Sequence, residues 1–105
     1  MFAAEWEVAQ LDRRRAPRAP VSLDTQLGRG GLERALCRVL NISALGAKLQ
    51  TYSALRRGRT IWLTLPGLGR RAADVIWADD FTAGCQFREP LTQEQVDALA
   101  ADNPA

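Results

Sequence analysis

The chain contains no histidine among its 105 residues. That removes imidazole as a general base, as a member of a catalytic triad and as a metal ligand. Lysine is almost missing as well: Lys48 stands alone, and the other thirteen of the 14 basic residues are arginine. The two cysteines, Cys37 and Cys85, are far apart and form no Cys-x-x-Cys pair, which argues against zinc. They read most simply as small buried residues, kept reduced in a cytosolic chain. No apolar run approaches the roughly 20 residues that cross a bilayer. The opening stretch from Met1 to Glu7 carries acids where a signal peptide needs bases. The expectation is a cytoplasmic protein with no membrane insertion. A net charge of +2 is too small to suggest binding to a nucleic acid polymer. The length allows a single domain with a core that needs no metal or disulfide.

What is present falls into three parts. Residues 1 to 11 read as an N-terminal arm: Phe2, Trp6 and Ala9 would share a helical face, but so short and uncapped a segment makes a marginal helix. Asp12 to Pro20 follows, with Arg13, Arg14, Arg15 and Arg18 packed beside Pro17 and Pro20. Proline removes backbone donors and extends the residue before it, so this is a basic extended segment. From Val21 onward the pattern is short strands and turns. Strands are expected at Val21–Leu27, Leu32–Ile42, Ala47–Thr51, Thr60–Leu65, Ala72–Ala78 and Ala83–Phe87. The poor alternation of the second predicts a bulge near Arg38. Six short strands at hairpin spacing suggest an all-β fold, a small six-stranded antiparallel barrel without exposed edges. A short C-terminal helix is expected at about 92–101. Thr92 and Gln95 make a capping box, Leu91 and Val96 a hydrophobic staple, and Val96, Leu99 and Ala100 a packing stripe.

Two motifs carry chemistry. Arg14-x-x-x-Arg18 is a weak pattern in so arginine-rich a chain, and a solvated basic arm is its plain reading. Crowded guanidiniums beside prolines also suit an anion, since each charge-assisted hydrogen bond contributes about 1.5–3 kcal/mol. Asn41-x-Ser43-x-x-Gly46 is far more specific, with a chance expectation of about 0.02 matches in this composition. It reads as a glycine-capped turn. An amide and a hydroxyl at a strand end can equally bind a base or phosphate, and Gly46 allows close backbone approach.

In this order and spacing the two motifs resemble the PilZ domain, the bacterial receptor module for cyclic di-GMP, as a stand-alone member. The resemblance runs from Asp12 to about Ala101. It extends to Val75-Ile76-Trp77, to Gly84-Cys85-Gln86-Phe87 and to the trailing helix. It implies a barrel domain over residues 12–105. It implies that Arg14 and Arg18 clamp the dinucleotide at its phosphates and guanine edges, guanine presenting the N7 and O6 acceptors that suit an arginine fork. Asn41 and Ser43 would bind from the barrel surface, with Gly46 keeping their turn tight. Arg13 resembles the residue of members that take an intercalated pair of ligands, and Arg15 would be an extra phosphate contact. Trp77 is open to two readings, a ring stacked on guanine or barrel core. Trp62 reads as core.

No cofactor, no metal and no catalytic constellation is expected. A dinucleotide-binding glycine pattern fails at Glu33, and Ser43 has no base to activate it. Asp79 and Asp80 are neighbours in a turn and do not pair as acid and base. The expected function is a nucleotide-responsive receptor that signals to an effector protein by a change of its arm and surface. The alternative is a nucleotide-independent interaction adaptor docking through Phe2 and Trp6. A barrel binding single-stranded nucleic acid is a third reading, disfavoured by the modest charge.

Overall fold

The computed structural model describes residues 17–30 and 34–105. The expected arm at 1–11, Arg13, Arg14 and Arg15 lie outside the described residues. Six strands form a closed antiparallel barrel: β1 Ala19–Gly28, β2 Arg34–Ile42, β3 Gly46–Thr51, β4 Thr60–Leu65, β5 Gly69–Ala78 and β6 Thr82–Phe87. Helix α1, Gln93–Asp102, follows. Going round the barrel the order is β1-β2-β3-β6-β5-β4. The architecture is therefore two three-stranded meanders, β1-β2-β3 and β4-β5-β6, joined along two seams. The β3–β6 seam carries five Cα pairs, from Gly46↔Gln86 to Gln50↔Thr82. The β1–β4 seam has only Leu27↔Leu63 and Gly28↔Trp62. There the buried Thr25 hydroxyl adds a hydrogen bond to the Thr64 carbonyl across the seam.

Alternation makes the core. Leu23, Thr25 and Leu27 in β1, Ile61, Leu63 and Leu65 in β4, and Cys37 and Val39 in β2 point inward. A buried Leu, Ile or Val contributes about 1.5–3 kcal/mol relative to its exposed state. Trp62 departs from the core reading. It shares its parity with Thr60 and Thr64, so it lies on the outside of β4, half-buried beneath Arg70, whose guanidinium carbon is 5.7 Å from the ring centre.

The expected bulge in β2 falls two residues beyond Arg38. Val39 pairs with Leu49 and Asn41 with Lys48, so Leu40 is the extra residue. A second bulge lies in β5, where Val75 pairs with Cys85 and Trp77 with Gly84, leaving Ile76 unmatched. A third interrupts β1 between Pro20 and Leu23. The backbone freed there is taken up by the chain beyond α1: the Ser22 N–H donates to the Asn103 carbonyl at 3.0 Å, and Val21 bridges to Pro104.

Helix α1 starts as expected. Thr92 Oγ1 accepts from the Gln95 N–H at 3.1 Å, and Gln95 Oε1 accepts from the Thr92 N–H at 2.9 Å. Leu91, Val96 and Leu99 are buried in the barrel's core cluster, with Ala100 against it.

Cys37 and Cys85 are both free and buried. Burial pushes the Cys37 thiol up to about 11 and the Cys85 thiol up to about 12. Two outcomes are expected. Iodoacetamide at pH 8 leaves both thiols unmodified in the folded protein and alkylates them in urea, as mass spectrometry would read. Because both folded values lie above the ordinary 9.0, their contribution to stability is complete below pH 9 and is lost as pH rises through about 11 and 12. Urea midpoints measured from pH 8 to 11 should fall.

Candidate functional site

The two bulges decide which side chains face solvent. In an unbroken strand, Asn41 would point inward with Cys37 and Val39, because strand side chains alternate with period two. The extra residue Leu40 reverses that parity, turning Asn41 outward and Ile42 into the core. Ile76 does the same in β5: Val75 is buried, and Trp77, two residues on, is on the outer face and 36% exposed.

The result is a row across five strands. Pro20 on β1 pairs with Asn41 on β2, Asn41 with Lys48 on β3, Lys48 with Gly84 on β6, and Gly84 with Trp77 on β5. Directly paired residues of antiparallel strands stand on the same face, so the row is continuous. Gly84 is its floor. A Cβ there would come within 2.0 Å of the Trp77 indole nitrogen, so the ring lies flat over the glycine backbone. Arg18 closes the other end. Its Nη1 donates to Asn41 Oδ1 at 2.9 Å, and among the described residues the Asn41 amide N–H groups and the remaining guanidinium donors have no other acceptor.

The Ser43–Gly46 turn sits behind this row and is built into the barrel. Ser43 is buried. Its N–H donates to the Gly46 carbonyl at 2.8 Å, and its hydroxyl oxygen accepts from the Leu45 and Gly46 N–H groups, each at 3.3 Å. The turn carbonyls are occupied too: Leu45 accepts from the Phe87 N–H and Ala44 from the Leu91 N–H, each at 2.8 Å. Gly46 admits no side chain, because a Cβ would lie 2.1 Å from the Cys85 carbonyl oxygen. Ser43 thus holds the turn from within the barrel, and Asn41 is the motif residue that faces outward.

Of the expected site residues, Arg18, Asn41 and Trp77 share this outer row, Ser43 and Gly46 underlie it, and Arg13, Arg14 and Arg15 are outside the described residues. Lys48 is the residue that sequence reasoning passed over. Its pairing with Asn41 puts a cation between the amide and the tryptophan, and its position opposite the motif in the β2–β3 hairpin could have found it.

A comparison with protein families matches the PilZ domain over residues 12–101. No curated protein matches the chain.

The packing around the two glycines leads to opposite expectations. Gly46→Ala must displace backbone at the β3–β6 seam and should destabilise the fold by about 1–3 kcal/mol in urea titration. Gly84→Ala meets a side chain that can swing away, so it should lift Trp77 into solvent and red-shift its emission while leaving most of the stability. An unshifted spectrum would show that the ring does not rest on Gly84.

Proposed function

Since the chain belongs to the PilZ domain family, a family of modules that bind cyclic di-GMP, we propose that it is a cyclic di-GMP receptor whose ligand lies along the Arg18–Asn41–Lys48–Trp77 row. The observation that carries this reading is the outward display of an arginine fork, an amide, an ammonium and an aromatic ring on one continuous face.

Each group has chemistry suited to one part of the ligand. Arg18, with Arg14 from the same basic segment, supplies paired donors for phosphate oxygens or for guanine N7 and O6. Arg13 and Arg15 add positive charge beside them, and Arg13 is the residue that would accommodate a second, intercalated ligand. Asn41 uses its free amide donors on a phosphate or a base edge. Lys48 supplies a point charge for a phosphate. Trp77 offers a face to a guanine, and base–aromatic stacking contributes about 1–3 kcal/mol. Ser43 and Gly46 hold the turn that fixes Asn41.

Asparagine at position 41 also matters for the arginine. A carboxylate there would pair with Arg18 and compete with phosphate for its charge. The neutral amide orients the guanidinium at 2.9 Å without itself compensating its charge. Binding would fix the Arg13–Arg18 segment over the row, and an effector protein would read the altered surface.

Isothermal titration with cyclic di-GMP tests this. Arg18→Ala and Asn41→Ala should each weaken binding roughly tenfold or more, corresponding to one charge-assisted hydrogen bond. Arg14→Ala should do likewise, Trp77→Ala should cost about 1–3 kcal/mol of affinity, and the melting temperatures of all four should stay near that of the parent. Undiminished affinity in Arg18→Ala would remove the assignment, and the stoichiometry separates one ligand from an intercalated pair.

A further inference from the structure

The opposite ends of β1 and β2 carry a second, chemically different surface. Three carboxylates among the described residues hold arginines: Asp24 with Arg38 at 2.8 Å, Asp74 with Arg88 at 3.1 Å and Glu89 with Arg71 at 3.7 Å. Within the described residues, Arg29, Arg56, Arg57 and Arg59 have no carboxylate in reach. These four converge on one place. Arg56, Arg59 and Arg29 line a cleft of about 540 Å³ together with Trp62, and Arg57 adjoins them in the same turn.

That turn is rigid. The Arg59 N–H donates to the Arg56 carbonyl at 3.2 Å, closing a four-residue turn in which Gly58 has a φ of +86°, as the third position of a type II turn requires. It is then bolted to the barrel, because the Gly58 N–H donates to the Val75 carbonyl at 2.8 Å and the Val75 N–H to the Arg59 carbonyl at 2.9 Å. Arg29 hydrogen-bonds Ser53 from the facing side. The backbone that carries Arg56, Arg57 and Arg59 is therefore fixed in advance, which lowers the ordering cost of binding.

The neighbouring surface is apolar. Leu36 precedes Cys37 and Tyr52 follows its partner Thr51, so the two stand side by side on the outer face, 63% and 70% exposed. Tyr52 adjoins Ser53 and hence Arg29. A small phosphoanion would satisfy the arginines and leave both of these side chains in water. Arginine, tyrosine and tryptophan around an apolar centre is the composition of protein–protein hot spots.

We propose that this end of the barrel docks an acidic segment of a partner protein, with carboxylates on the Arg29–Arg56–Arg57–Arg59 cluster and an apolar anchor against Leu36 and Tyr52. This surface shares no residue with the proposed nucleotide row, and its docking does not depend on nucleotide.

The test uses the full chain without nucleotide and a fluorescently labelled peptide of four Glu-Glu-Phe repeats, read by anisotropy at low and moderate salt. Saturable binding is expected, weakening with salt. The double variant Arg56→Glu/Arg59→Glu should reduce it roughly tenfold or more, and Tyr52→Ser severalfold. All substituted residues are exposed, and circular dichroism confirms that the variants fold. No saturable binding of the peptide overturns the proposal, as does binding indifferent to the charge reversal. A twenty-residue oligothymidylate that binds more tightly than the peptide, and equally well in Tyr52→Ser, would overturn it in favour of single-stranded nucleic acid.

Discussion

Strand parity is the constraint on which the rest of the molecule depends. A single extra residue in a pleated strand exchanges its inner and outer faces for everything that follows. Leu40 and Ile76 each make that exchange once, on strands that lie on either side of the β3–β6 pair. Were Leu40 paired in regular register, the amide of Asn41 would be a buried polar group needing a partner in the core, and Ile42 would be left in water. Were Ile76 paired in regular register, Trp77 would have to fit inside a barrel already filled by Val75, Leu49 and Leu63. Core packing and the display of the outer row are therefore consequences of the same two insertions.

The β3–β6 seam turns two separately exchanged strands into one surface. Its register sets Lys48 against Gly84 and so connects Asn41 with Trp77. That register is anchored where Gly46 meets the Cys85 carbonyl, a contact that any side chain would push apart. The glycine that ends the Asn-x-Ser-x-x-Gly motif is thus a requirement of barrel closure as well as of the turn. Ser43 belongs to the same arrangement, since its oxygen accepts the N–H of Gly46 and its buried position leaves no face to solvent. The motif divides its labour: the serine and glycine hold the seam, and the asparagine faces outward.

Much of this was legible in the sequence. The strands were marked by alternation and turn residues, the helix by Thr92 and Gln95, and the irregularity of β2 by its broken pattern near Arg38. What was not legible is instructive. The bulge displaced itself to Leu40 because Arg38 is held in regular register by its pairing with Asp24 and Gln50. Trp62 lies in a run of apolar residues where either face could be the inner one, and only the parity shared with Thr60 and Thr64 distinguished them. Trp77 stayed ambiguous because its orientation depends on a bulge whose position is set by the partner strand, a nonlocal property. Lys48 was missed for the same reason: its meaning comes entirely from the residue opposite.

The distribution of arginine completes the argument. A guanidinium paired on the surface with a carboxylate has its charge largely spent, as the Arg88 donors that hold the Asp74 carboxyl below its ordinary range illustrate. Arg38 is spent on Asp24 in the same way. Among the described residues Arg18 meets a neutral amide, and the β3–β4 turn holds its arginines beside glycine and serine. With a net charge of only +2, the chain creates positive potential by where it places its acids, and not by excess of base. Arg18 and the arginines of the β3–β4 turn, which have no carboxylate partner among the described residues, sit at opposite ends of β1. One has an amide and an aromatic ring within its row, and the other has exposed leucine and tyrosine beside it. A barrel closed by two seams and fixed in register by a glycine contact can hold both without either sharing a residue with the other.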